Sequence, residues 1–255
     1  MSTARSFLFR AAWLLIVAPV AMADNAPRIA IIIDDLGYQI EAGLRAIELP
    51  GAVSYAVLPA TPNGRVLALL AHQRGKDVLL HLPFEAEDRE NRDEPGAITL
   101  DMSHRAFRAA FASALESVPN AVGVSNHRGS LLTRHPGHMG WLMEEIAARD
   151  GMFFLDSYTT HQSVAMQIAA ERGVATSRRH VFLDNDRSAE AINREFARLT
   201  ELARRDGLAI AIGHPYPETL TFLEAKLANL EADRVTLIPV SQAVHFVEPD
   251  ANSIL

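Results

Sequence analysis

Five short apolar runs in the 255-residue chain each end in a side chain that can bind a cation or move a proton. Asp34-Asp35 follow Ile31-Ile32-Ile33, and His81 follows Leu79-Leu80 with Glu85 four residues on. Asn126-His127 follow Val124-Ser125, Asp156-Ser157 follow Phe154-Leu155, and His214 sits between Gly213 and Pro215. Adjacent carboxylates at a buried strand end repel and desolvate one another, and a cation or a shared proton relieves both effects. Imidazoles supply metal ligands and proton carriers near neutral pH. The chain has no cysteine, which excludes disulfides, thiolate metal sites and cysteine nucleophiles. Any metal must therefore be held by His, Asp, Glu or water. Taken singly, each residue has an ordinary reading. Asp34-Asp35 and Asp156-Ser157 can cap the segments after them, His81 can be a satisfied core histidine, Glu85 a solvated loop acid, and His127 and His214 loop-bonding histidines. Scattered polarity does not account for the recurrence at separate run ends. The other histidines fall on helices, in loops or at strand starts, with His135 and His138 near His127 in the chain.

The elements that must position these groups alternate from end to end. Brief Val-, Ile- and Leu-rich runs predict strands over 28–34, 53–58, 77–81, 122–125, 152–156, 180–183, 208–213 and 235–239. Amphipathic stretches predict helices over 40–48, 62–74, 103–117, 136–149, 163–172, 188–205 and 217–231. Ser103 and Ser188 suit N-caps, Pro62, Pro136 and Pro217 first turns, and Gly75, Gly151, Gly173 and Gly207 helix ends. Seven or eight βα units without a long linker predict a single α/β domain over 24–255. Its ligands are expected at the C-terminal ends of the strands, where the loops converge. No GxGxxG follows the first strand, and the charged stretch 86–100 is expected to be a surface insertion.

The first 23 residues read as a signal peptide. Arg5 and Arg10 give a positive start, residues 11–20 an apolar stretch, and Ala21-Met22-Ala23 a cleavage signal. The apolar stretch is too short to cross roughly 30 Å of hydrocarbon, so no stable membrane insertion is expected after cleavage. The protein is expected to be exported, periplasmic or secreted. A formal charge of −7 argues against nucleic acid or an anionic membrane as partner and is compatible with a neutral or amine-bearing glycan.

The ordered set Ile-Ile-Asp34-Asp35-Leu-Gly, His81-Leu-Pro-Phe-Glu85, Ser-Asn-His127-Arg-Gly-Ser, Leu-Asp156-Ser and Ile-Gly-His214-Pro resembles the divergent polysaccharide deacetylases, distant relatives of the NodB-type carbohydrate esterases. The likeness runs from about Arg28 to Val247. It implies a distorted (β/α) barrel of about seven parallel strands with a divalent metal at its rim. By the same resemblance, Asp34 is the catalytic base, Asp35 a metal ligand, and His214 the general acid. The family's His-x-x-x-His pair falls on His81 and Glu85, so the usual second histidine is replaced here by Glu85. His127 restores a third strong donor. The favoured ligand set is Asp35, His81 and His127, with Glu85 as rival, and Asp156 is expected to orient His214 or the base.

A cation on three N/O donors keeps a position open for water, the pattern of catalytic zinc. The implied activity is Zn²⁺-dependent hydrolysis of N-acetyl groups from an envelope polysaccharide, peptidoglycan among the candidates. Tyr38, Tyr158 and Tyr216 are candidate sugar-stacking surfaces, and Trp141 reads as core. Two other readings remain open: a catalytically degenerate barrel that binds glycan or protein, and a glycoside hydrolase using two carboxylates such as Asp35 and Asp156.

Overall fold

A computed structural model describes residues 26–88 and 94–245. The expected signal peptide and the tail beyond His245 lie outside the described residues. In chain order the elements are β1 (Arg28–Leu36), α1 (Ile40–Ile47), β2 (Ser54–Val57), α2 (Gly64–Gln73), β3 (Val78–Phe84), α3 (His104–Ser117), β4 (Ala121–Arg128), α4 (Pro136–Ala147), β5 (Phe153–Asp156), α5 (Ala165–Glu171), β6 (Thr176–Arg178), β7 (Val181–Phe182), α6 (Ala189–Asp206), β8 (Leu208–Gly213), α7 (Pro217–Leu227) and β9 (Thr236–Leu237). The strands form one curled parallel sheet in the order β6-β5-β4-β3-β2-β1-β8-β7. β9 lies parallel to the first residues of β1, while β2 pairs with its later ones.

Side chains alternate across each strand, and two apolar layers record the alternation. Ile29, Ile31, Ile33, Val78, Leu80, Val124 and Phe154 pack with the helices outside the sheet. Ala30, Ile32, Leu79, Phe153, Leu155, Ile210 and Ile212 fill the inside, and Val240 and Ala243 pack against that same inner layer. Inward positions are crowded: a Cβ on Gly123 would stand 2.5 Å from the Phe153 ring. Extending the same alternation to the rim decides which polar groups face the barrel interior. Asp34 continues the Ala30–Ile32 side, His81 the Leu79 side, Ser125 and His127 the Gly123 side, and His214 the Ile210–Ile212 side.

Four helix starts match their sequence signals: Ser103 and Ser188 cap α3 and α6 through their hydroxyls, and Pro136 and Pro217 open α4 and α7. Pro62 stands outside α2, which begins after Asn63. The strand Thr176–Arg178 was not expected, because three residues with two hydroxyls and a guanidinium carry no apolar run. The two edge strands are consecutive in the chain, separated only by Arg179 and His180. The amides of that connection reach opposite ways, Arg179 N–H to Asp156 O of β5 and His180 N–H to Ile210 O of β8. The edges of the curled sheet therefore meet at a two-residue connection too short to carry a covering helix.

Candidate metal centre

Consecutive residues on a regular strand face opposite ways, yet Asp34 and Asp35 both reach the same imidazole. The β1–β2 register slips between Ile33 and Leu36, and Asp35 takes φ +60°. A bulge with a left-handed residue turns the second carboxylate back toward the first, and Asp tolerates that conformation better than most residues. His81 Nε2 then lies 3.4 Å from Asp34 Oδ2 and 3.2 Å from Asp35 Oδ1. His127 Nδ1 approaches Asp35 Oδ1 to 2.8 Å.

Asp35, His81 and His127 each offer one ligand atom, all within 4.8 Å of one another. Among the described residues Asp35 Oδ1 is buried without a hydrogen-bond partner, although two ring nitrogens are close. Three lone-pair donors crowded together suit a small divalent cation placed among them. The supporting contacts fit the same arrangement. Ser125 Oγ lies 2.8 Å from His81 Nδ1 and turns Nε2 inward. Glu94 Oε2 stands 3.5 Å from His127 Nε2, the placement of an outer carboxylate behind a ligating histidine. Burial pushes the Asp35 carboxyl up, but the two imidazoles outweigh it and hold Asp35 well below the usual carboxylate range. Burial depresses His127, and the neighbouring Asp35 charge more than reverses this, raising it.

Glu85, the rival ligand, is buried and accepts from the Leu100 amide at 2.8 Å. It ties the 94–100 segment to β3 and is not among the three clustered donors. Asp34 is 2 % exposed, and burial raises its carboxyl above the ordinary value against the pull of His81 and His214. Its Oδ1 has no hydrogen-bond partner among the described residues.

His214 closes the opposite side, with Nε2 3.6 Å from Asp35 Oδ2. Its Nδ1 lies 2.9 Å from Asp184 Oδ1, while Asp184 Oδ2 accepts the His214 amide at 2.6 Å and the Thr219 hydroxyl at 2.8 Å. Burial lowers the imidazole, but the bond to Asp184 and the surrounding acids raise it to about 8. The carboxylate on His214 is thus Asp184, not Asp156. Phe153 and Leu155 face inward, so Asp156 shares the outward side of Phe154. There it accepts from the Tyr158 amide at 2.8 Å and the Ser163 hydroxyl at 2.6 Å, pinning the loop after β5. Asp184 was missed although Leu183-Asp184 ends an apolar run as Leu155-Asp156 does. Glu94 and Ser125 carried no signal in the sequence.

The aromatic candidates separate. Tyr38 is exposed and feels the charges of Glu94 and Asp35, and the Tyr216 ring lies 5.4 Å from that of His214. The Tyr158 ring carries the Arg178 guanidinium at 4.5 Å. Trp141 stacks on His104 at 4.9 Å and packs against the core. His135 and His138 pair with each other, Nδ1 to Nδ1 at 3.0 Å, and take no part in the three-donor cluster.

A family model described as divergent polysaccharide deacetylase matches residues 31–244. The chain is 36% identical over 249 residues to the uncharacterized protein YibQ of Escherichia coli K12, covering 98% of this chain and 76% of that protein. Among solved structures, the uncharacterized protein ATU2773 of Agrobacterium tumefaciens C58 superposes with a TM-score of 0.82 at 22% identity, over 86% of this chain and 89% of that one. The catalytic domain of the peptidoglycan N-acetylglucosamine deacetylase of Eubacterium rectale follows at 0.56 and 16%, over 92% and 100%. The last two likenesses concern the fold alone. With a family model matching residues 31–244 and a relative 36% identical over 98% of the chain, the chain belongs to the divergent polysaccharide deacetylases.

Proposed function

We propose that the protein hydrolyses N-acetyl groups from an envelope polysaccharide, using a divalent metal, Zn²⁺ first among candidates, held by Asp35, His81 and His127. The observation that carries the reading is the arrangement of proton-moving groups around that three-donor cluster: on one side a buried carboxylate with an oxygen unpartnered among the described residues, and on the other an imidazole clamped by a carboxylate. A bound cation would polarise the acyl oxygen and activate a water. Asp34 offers Oδ1 as the base for that water's proton, and its burial makes it a stronger base than an ordinary carboxylate. His214 presents Nε2 to the centre and delivers a proton to the departing sugar amine. Asp184 is the positioning residue that fixes the His214 ring. The solved deacetylase of similar fold acts, by its description, on peptidoglycan N-acetylglucosamine. Together with the expected signal peptide, that makes peptidoglycan the first substrate to try, in the periplasm or outside the cell.

The deciding assay measures acetate released from N-acetylglucosamine oligomers with added Zn²⁺. Release should stop on chelation and return with metal. Oligomers that bind without releasing acetate under any divalent metal would leave a glycan-binding barrel instead. Chelator-insensitive release of reducing ends would make it a glycoside hydrolase.

Asp184 and Asp156 are separable in the same assay. Asp184→Asn is expected to lower kcat by about 10²-fold or more, because the His214 ring loses its fixed tautomer. Asp156→Asn should leave kcat little changed, since its side chain accepts from Tyr158 and Ser163 and the carboxylate on His214 is Asp184. Equal effects would remove Asp184 from its positioning role.

A further inference from the structure

Where β6 runs into β7, the absence of a covering helix leaves a cleft of about 780 Å³ between the loop after β5, the Arg179-His180 connection and one flank of α6. Its charge runs against the balance of the chain. Arg178, Arg179, Arg194 and Arg198 line it, against Glu195 and Asp186, in a protein whose formal net charge is −7. The two acids do not neutralise the four cations. Asp186 spends one oxygen on the Ser188 amide, and Glu195 pairs with Arg198 at 3.2 Å. Arg179 is partly buried and donates to the Ser157 and Tyr158 carbonyls; burial lowers its pKa, the Asp34 and Asp156 charges oppose that shift, and the Arg198 charge adds to it. Guanidiniums thus outnumber the acids that line this partly exposed cleft, and an anion seated there would offset the excess.

The cleft also touches the centre. Phe182 lines it, with its ring 4.9 Å from the Arg179 guanidinium on one side and 5.2 Å from the His214 ring on the other. An occupant would therefore lie next to the sugar whose amine His214 protonates. We propose that this cleft is an anion subsite that takes a carboxylate carried by the glycan ligand, so that the protein prefers an acidic, peptide- or lactyl-bearing strand over a neutral one. Planar guanidiniums recognise carboxylates through paired hydrogen bonds and hold them at partly exposed sites. The identity of the ligand as a glycan rests on the deacetylase reading, whereas the anion subsite does not.

The test is calorimetric titration of the full chain with an N-acetylglucosaminyl-muramyl dipeptide, the same compound with its carboxylates amidated, and neutral chitotetraose. The acidic compound is expected to bind about tenfold more tightly than its amide, with the advantage shrinking as salt is raised. Arg194→Ala/Arg198→Ala, on the exposed flank of a helix that alanine favours, should bring that ratio to about one and leave chitotetraose binding unchanged. Inorganic phosphate that displaces the acidic compound from the native protein but not from the variant would support the subsite and add phosphoryl groups to its ligands. A native ratio near one, or a ratio that survives the double substitution, overturns the proposal. A ratio that behaves as expected while no substrate releases acetate would sink the deacetylase reading and leave the subsite standing.

Discussion

His127→Ala is expected to strip the protein of its divalent ion and abolish acetate release together. The side chain lies at the rim, 19% exposed, so its removal opens no deep cavity and folding should survive. What is lost is one of three donors and the Glu94 contact behind it. Loss of an outer partner alone costs roughly 10–100-fold in metal affinity, and loss of the donor itself should cost more. His81→Ala and Asp35→Ala are expected to do the same, although His81 is 2% exposed and its variant needs a thermal melt to show that it folds. Metal content after dialysis against a limiting chelator is the readout. Retention of a full equivalent by all three variants would refute the ligand assignment, whatever happened to activity.

Asp34→Asn should separate chemistry from metal binding. The substitution keeps the shape but removes the oxygen able to accept the water's proton, so kcat is expected to fall by about 10²- to 10⁴-fold. Metal content should stay at the native level, since Asp34 is outside the three-donor cluster. Stability should be unchanged or higher, because the variant takes one of two neighbouring carboxylates out of a buried site. Unchanged acetate release would take the base role from Asp34. Loss of the metal along with activity would make Asp34 a ligand.

The list of rim residues was legible because of how parallel sheets are built. A strand covered on both faces must be an apolar run, so Asp34, His81, His127 and His214, each closing or following such a run, announced themselves. The same property hid the facing of each residue. When both faces are apolar, the alternation leaves no mark in the sequence. Phe-Leu-Asp occurs twice, at 154–156 and 182–184, and the tripeptide cannot tell which Asp serves the centre. Phe154 packs with the helices, so Asp156 faces out, whereas Leu183 packs with them, so Asp184 faces His214.

Composition and order along the chain thus determined the alternating strands and helices, a centre limited to oxygen and nitrogen donors, and the strand ends that supply them. Tertiary structure decided the rest. The β1 bulge brings Asp34 and Asp35 to one imidazole, the insertion returns Glu94 behind His127, and the two-residue connection at Arg179-His180 opens the basic cleft. The first depends on register between paired strands, and the other two on where the insertion and the edges of the sheet come to lie. Register is set by pairing and packing across the whole sheet, which no local stretch of residues encodes.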